Sequence, residues 1–238
     1  MFKKIKNIKI NYKQYGKGDD VILLHGWGQN IAMMDPLGKK IEDNHRITII
    51  DLPGFGLSSE PESVLGVPDY ADIVYELLKE LKISNPIIIG HSFGGRVAIC
   101  YASKYPTKKM VLFGAPCVRH EHKSKKQAVF KFMKKIIIFR PFVNILKKHL
   151  GSVDYKNATP KMRDILVKTV NLDLSEYAKK IKCDALLIWG ENDTAVSVSE
   201  AKELDGLLKN SALIILPGTH YCYLENLERV TDILNNCI

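Results

Sequence analysis

Pro86-Ile87-Ile88-Ile89-Gly90-His91-Ser92-Phe93-Gly94-Gly95-Arg96 is the stretch from which the rest of the chain can be read. Three consecutive isoleucines indicate a short strand buried on both faces. An alanine-containing helical pattern follows from Val97. Between them Gly90 to Gly94 fits G-x-S-x-G, a pattern with meaning only as a tight turn from strand to helix. Glycine is needed at both ends because a Cβ there would meet neighbouring backbone. Ser92 is then held in a strained conformation, with its hydroxyl exposed at the carboxyl edge of a sheet. The first amides of the helix aim at the same spot, so negative charge developing there is stabilised. The plainer alternative is a glycine-rich strand-to-helix turn of a nucleotide-binding fold.

Upstream, residues 21–24 and 47–50 are apolar runs and read as buried strands. They end in His25-Gly26-Trp27-Gly28 and in Asp51-Leu52-Pro53-Gly54-Phe55-Gly56. Residues 2–15 alternate apolar and polar, which predicts an antiparallel strand or hairpin with one face on the core. Helices are predicted over 31–42 and from Pro68-Asp69 to about 81, the second with Tyr70, Ile73, Val74, Leu77, Leu78 and Leu81 on one face. Downstream, strands are predicted over 110–113, 185–189 and 212–216, and helices over 199–209 and 223–235. The last two strands end in Gly190-Glu191-Asn192-Asp193 and Pro217-Gly218-Thr219-His220. Such alternation predicts an α/β fold with a mostly parallel sheet, helices on both faces, and ligands at the carboxyl ends of the strands.

The alternation fails between residues 117 and 182. Helical patterns over 129–139, 142–150 and 161–170, with a short piece over 176–180, predict a helical insertion. Residues 1–116 and 183–238 would then form one core domain. The chain has 238 residues and a formal net charge of +9. The insertion holds 17 Lys and Arg against 5 Asp and Glu, and the remainder holds 18 against 21. A near-neutral body with one basic segment argues against a nucleic-acid-binding protein and for a local role of that segment. No apolar run approaches the ~18 residues that span a bilayer, and no apolar stretch follows the lysines of Met1-Phe2-Lys3-Lys4-Ile5-Lys6-Asn7. Five scattered cysteines suit a reducing cytoplasm better than a zinc site or a disulfide framework. His120 and His122 could pair on a metal, but no third ligand accompanies them.

Four residues follow directly on predicted strands: Trp27, Ser92, Asp193 and His220. In a parallel sheet those ends share one rim. The sequence here resembles the α/β-hydrolase fold family, of the small kind with a helical cap. The resemblance is carried by His25-Gly26-Trp27-Gly28, Asp51-Leu52-Pro53-Gly54-Phe55-Gly56, Gly90-His91-Ser92-Phe93-Gly94-Gly95, Gly190-Glu191-Asn192-Asp193 and the late His220, in the order Ser, Asp, His. Within the family it is most similar to carboxylesterases and to ester hydrolases acting on acyl chains of biotin synthesis, which also carry His-Gly-Trp-Gly. The resemblance implies a Ser92 nucleophile, a His220 base and acid, and Asp193 as the partner of the imidazole. It also implies an oxyanion hole from the backbone N–H groups of Trp27 and Phe93.

Glu191 is the competitor for the carboxylate, although the family's match falls on Asp193. His25 and His91 are expected to be architectural, and so is Asp51. Arg96 has a counterpart in vitamin-K-pathway lyases of this fold. That keeps elimination open, beside carbon–carbon bond hydrolysis, perhydrolysis and a non-catalytic small-molecule-binding role. The expected function is that of a cytoplasmic serine esterase acting on a small, acyl or anionic ester. No cofactor or metal is implied, and the basic cap could touch an anionic surface or carrier.

Overall fold

The apolar runs are strands because both of their faces are covered. A computed structural model of the protein describes residues 1–119 and 158–238, with the strands β1 (Phe2–Ile5), β2 (Ile8–Gly16), β3 (Asp19–Leu24), β4 (His45–Ile50), β5 (Ile87–His91), β6 (Lys109–Phe113), β7 (Asp184–Gly190) and β8 (Ser211–Leu216). They form one sheet in the order β1-β2-β4-β3-β5-β6-β7-β8. The pairs β1–β2 and β2–β4 are antiparallel and all the others are parallel. The described helices are α1 (Ile31–Ile41), α2 (Val67–Glu80), α3 (Phe93–Lys104), α4 (Pro160–Val170), α5 (Ser175–Ala178), α6 (Val198–Leu207), α7 (Cys222–Glu225) and α8 (Leu227–Cys237).

Successive strand residues alternate between two buried layers, as a pleat of period two requires. Ile22, Leu24, Ile88, Leu112 and Leu187 pack with α2, α3 and α6 on one face. Leu23, Ile49, Ile87, Ile89, Val111 and Ile188 pack with Met34, Leu37 and Ile41 of α1 and with Val230 and Leu234 of α8 on the other. Because β3 to β8 run parallel, the residues that follow β3, β5, β7 and β8 all emerge on one rim.

The amphipathic face predicted for residues 68–81 is buried as α2, whose Asp69 carboxylate accepts a hydrogen bond from Gly66 N at 2.6 Å. The helix predicted over 223–235 is broken in two at Asn226. That side chain donates to Pro217 O and Cys222 O, and Glu225 accepts from Thr219 N and its hydroxyl. Local side-chain bonds of this kind compete with the helical ladder. They tie α7 to the β8 turn while α8 starts afresh.

The α4 helix lies against the body of the protein. Its Met162 and Ile165 share a buried cluster with Phe55, Tyr70 and Phe93. Thr159 donates to Glu60 at 2.8 Å and Lys168 to Val64 O at 2.9 Å. The helices expected over 129–139 and 142–150, and the pair His120 and His122, lie outside the described residues.

Candidate active site

Ser92 occupies the N-cap of α3 with φ +50° and ψ −111°, a conformation that L-residues avoid. Its neighbours force it there. A Cβ on Gly90 would lie 2.5 Å from Gly94 O, and one on Gly94 would collide with Leu24 O. The helix therefore starts hard against the ends of β5 and β3, and the residue between the glycines absorbs the turn. Ser92 N donates to Phe113 O at 2.9 Å, which ties the turn to the end of β6. Serine at an N-cap usually accepts a hydrogen bond from the first turn of its helix. Ser92 does not, and among the described residues its hydroxyl has no hydrogen-bond partner, His220 included. The side chain is half-buried and left free at the rim.

Asp193 and His220 arrive from the turns after β7 and β8. His220 Nδ1 donates to Asp193 Oδ2 at 2.7 Å. Asp193 Oδ1 accepts from Ala195 N and Val196 N, each at 2.8 Å. The carboxylate is nearly inaccessible, at 1% side-chain exposure against 16% for His220. Burial works to raise the Asp193 carboxyl. The hydrogen bonds from His220, Val196 and Ala195 outweigh it and hold the group below the usual carboxylate range. Gly114, with φ +52°, follows directly on Phe113 and backs this pair. A Cβ there would meet His220 Nδ1 at 2.8 Å and Asp193 Oδ2 at 3.1 Å. Glu191 is exposed and bonded to Asn192, so the carboxylate that reaches the imidazole is Asp193.

The turn after β3 contributes amides. Gly26 N donates to Gln29 Oε1 at 2.9 Å and Gln29 N to Gly26 O at 3.2 Å. Trp27 N is left without a partner among the described residues, as is Phe93 N, the first amide of α3. Helix starts leave such donors open by construction. The Trp27, Phe55 and Phe93 rings meet edge-on or tilted at 4.9–6.1 Å, and Tyr70 abuts Phe93 at 5.0 Å. The two amides thus sit beside an aromatic wall.

His25 and His91 are wholly buried and tie these turns together. His25 Nδ1 donates to Gly26 O at 2.7 Å, and its Nε2 accepts from Leu52 N at 3.0 Å. His91 Nε2 donates to His220 O at 3.0 Å, which binds the residue before Ser92 to the backbone of the late imidazole. Burial pushes His25 down to about 4 and His91 down to about 3, in the latter case with help from His220.

Both groups resist protonation when folded and take up protons near ~6.5 when unfolded, so their stabilisation is complete above that pH and fades as pH falls toward the folded values. Each contributes a slope of ~1.4 kcal/mol per pH unit, so together they should cost up to ~3 kcal/mol per unit between about pH 6 and 4.5. Urea unfolding at a series of pH values measures this. His91→Gln should halve the slope, and a stability flat from pH 7 to 5 would rule the effect out.

Asp51, the other carboxylate at a strand end, is built into the frame. It accepts from Asn11 Nδ2, Ile31 N and Leu57 N at 2.7–2.8 Å. The Arg96 guanidinium is bound to backbone carbonyls of Pro116, Thr169 and Leu172. Sequence reasoning missed Gln29 and Gly114. Gln29 lies two residues beyond Trp27 in a turn with no pattern of its own. Gly114 read only as the end of a strand. Among the described residues no three His, Cys, Asp or Glu side chains group as a metal site. No described helix is long and apolar enough to cross a membrane.

Residues 20–136 match the family model described as alpha/beta hydrolase fold. The chain is 34% identical over 102 residues to a 2-(acetamidomethylene)succinate hydrolase of Mesorhizobium japonicum, a match spanning 43% of this chain and 37% of that protein. It is 25% identical over 224 residues to a pimeloyl-[acyl-carrier protein] methyl ester esterase of Aliivibrio fischeri, covering 84% of this chain and 85% of the relative. Among solved structures, an esterase from Exiguobacterium antarcticum superposes with a TM-score of 0.80 at 21% identity, over 99% of this chain and 97% of that one. These relatives are hydrolases by name, and the family match spans the strand, turn and helix around Ser92. The chain therefore has the α/β-hydrolase fold, and its residues 20–136 match that family.

Proposed function

We propose that the protein is a serine hydrolase that cleaves a carboxylic ester through an acyl-enzyme, with Ser92 as nucleophile, His220 as base and acid, and Asp193 as the partner of the imidazole. The observation that carries this is the 2.7 Å bond from His220 Nδ1 to Asp193 Oδ2, delivered to the rim where the Ser92 hydroxyl is spared from capping its helix. With Nδ1 donating, Nε2 of the neutral ring carries a lone pair able to take a proton. Ser92 Oγ attacks the ester carbonyl as His220 Nε2 accepts the hydroxyl proton. The carbonyl oxygen becomes an oxyanion, received by Trp27 N and Phe93 N, each such donor being worth ~3–4 kcal/mol in the transition state. His220 returns the proton to the leaving alcohol. Water, activated by the same imidazole, then cleaves the acyl-enzyme to release the carboxylic acid and restore Ser92. A hydrogen bond from Ser92 Oγ to His220 Nε2 is not made in the free protein and would form as substrate binds.

Residues 117–182 would form the cap. Its described part supports this, since α4 brings Met162 and Ile165 to the cluster containing Phe55 and Phe93. An apolar acyl group is the natural occupant beside Trp27. The basic excess of the segment would attract an anionic ester or carrier.

A fluorophosphonate probe should label Ser92 alone, found by peptide mapping, while short p-nitrophenyl esters are turned over. A protein that cleaves vinylogous diketones but neither labels nor hydrolyses esters would move the assignment to carbon–carbon bond hydrolysis.

A further inference from the structure

Arg96 sits one turn into α3, its N–H bonded to Ser92 O at 3.1 Å. It is 5% exposed and has no carboxylate partner within ion-pair distance among the described residues. Its charge is spent on backbone. One terminal nitrogen donates to Pro116 O at 2.8 Å, and the other to Thr169 O at 3.0 Å and Leu172 O at 2.5 Å. Pro116 follows β6. Thr169 is in the last turn of α4 and Leu172 lies just beyond it. A cation there meets the negative end of the helix dipole and a Thr169 O that otherwise accepts from Leu172 N at 3.2 Å.

The two chain segments held by Arg96 are also bonded to each other. Leu174 N donates to Cys117 O at 3.0 Å, and Arg119 N to Asp173 Oδ2 at 2.8 Å. A guanidinium suits this junction because its planar fork serves three acceptors at fixed angles and stays charged when buried. Burial lowers its pKa without threatening that charge.

We infer that Arg96 is a positioning residue: it fixes the C-terminal end of α4 and the segment after β6 to the helix that begins at Ser92, and so sets how far the Met162–Ile165 face of α4 stands from the site. Through that distance it governs the size of acyl group the site accepts. The selectivity part rests on the esterase reading above. The clamp itself does not.

Two variants test it. Arg96→Met removes the fork, taking the guanidinium donor from the half-buried carbonyls of Pro116 and Leu172 and from Thr169 O, which keeps only Leu172 N. Arg96→Lys keeps the charge but not the fixed geometry. Hydrogen exchange by mass spectrometry should show the amides of residues 160–174 exchanging at least about tenfold faster in Arg96→Met, and to a smaller extent in Arg96→Lys, while β5 and β6 keep their protection. Unchanged exchange over 160–174 in a folded Arg96→Met or Arg96→Lys protein overturns the clamp. On p-nitrophenyl esters from acetate to octanoate, the ratio of kcat/KM for the long to the short ester should shift at least about fivefold, mainly through KM. A residue that served stability alone would lower the melting temperature and leave that ratio in place, which would overturn the selectivity role. If the wild-type protein neither turns over esters nor labels at Ser92, the esterase reading and with it the selectivity role fall. The exchange experiment still decides the clamp.

Discussion

Ser92→Ala is expected to lower kcat for a short ester by roughly 10⁶-fold, leaving the residual ~10³–10⁴-fold over water that binding and oxyanion donors supply on their own. The size follows from what one atom does. Oγ is the group that becomes covalently bonded, and neither His220 nor water can occupy its place at the rim of β5. The fold should not notice. The hydroxyl caps nothing and has no partner among the described residues, so its removal breaks no bond. The strain at φ +50° stays, since alanine carries the same Cβ. Ser92→Gly separates the two effects further. It should be equally inactive yet more stable by ~1–3 kcal/mol, because glycine adopts that backbone conformation without penalty. Kinetics on p-nitrophenyl acetate beside urea unfolding of both variants measures this. Activity within about a hundredfold of wild type in Ser92→Ala would remove Ser92 from the nucleophile's role. A glycine variant less stable than the alanine one would deny the strain.

The sheet was legible because its central strands are buried on both faces. Ile87 to Ile89 and Leu186 to Ile188 are unbroken apolar runs since each residue faces one of two covered layers. The site followed from the same fact. Trp27, Ser92, Asp193 and His220 are the residues that come after such runs, and parallel strands bring their ends to one rim. What escaped was whatever depends on polar groups of the backbone. Arg96 finds its partners in the backbone of Pro116, Thr169 and Leu172, and a carbonyl leaves no mark on a sequence. Asn226 ends α7 by bonding Pro217 O and Cys222 O, and it too reads as ordinary helix in the pattern of residues 223–235. Gln29 joins the Trp27 turn through the N–H of Gly26. Periodicity reports which face a residue presents to the core, and these three are placed by polar contacts that periodicity does not see.

Asp193→Asn should cost roughly 10⁴-fold in kcat, more than the loss of one charge would suggest. The reason is the way the carboxylate is already held. Its Oδ1 accepts from Ala195 N and Val196 N, and its Oδ2 accepts from His220 Nδ1. An asparagine amide placed there keeps its oxygen on the two backbone donors, because turning it would set NH₂ against two N–H groups. The amide nitrogen then faces His220 Nδ1 and donates to it. His220 is forced into the tautomer with hydrogen on Nε2, which can no longer accept the Ser92 proton. The variant should fold, since every backbone donor remains satisfied, and it should lose fluorophosphonate labelling along with turnover. Glu191→Gln is the companion measurement. Glu191 is exposed and bonded to Asn192, so its activity should stay within about twofold of wild type. Should Asp193→Asn retain a tenth of the activity, or Glu191→Gln lose as much as Asp193→Asn, the imidazole would not depend on Asp193 for its tautomer. The proton path from Ser92 through His220 would then need another anchor.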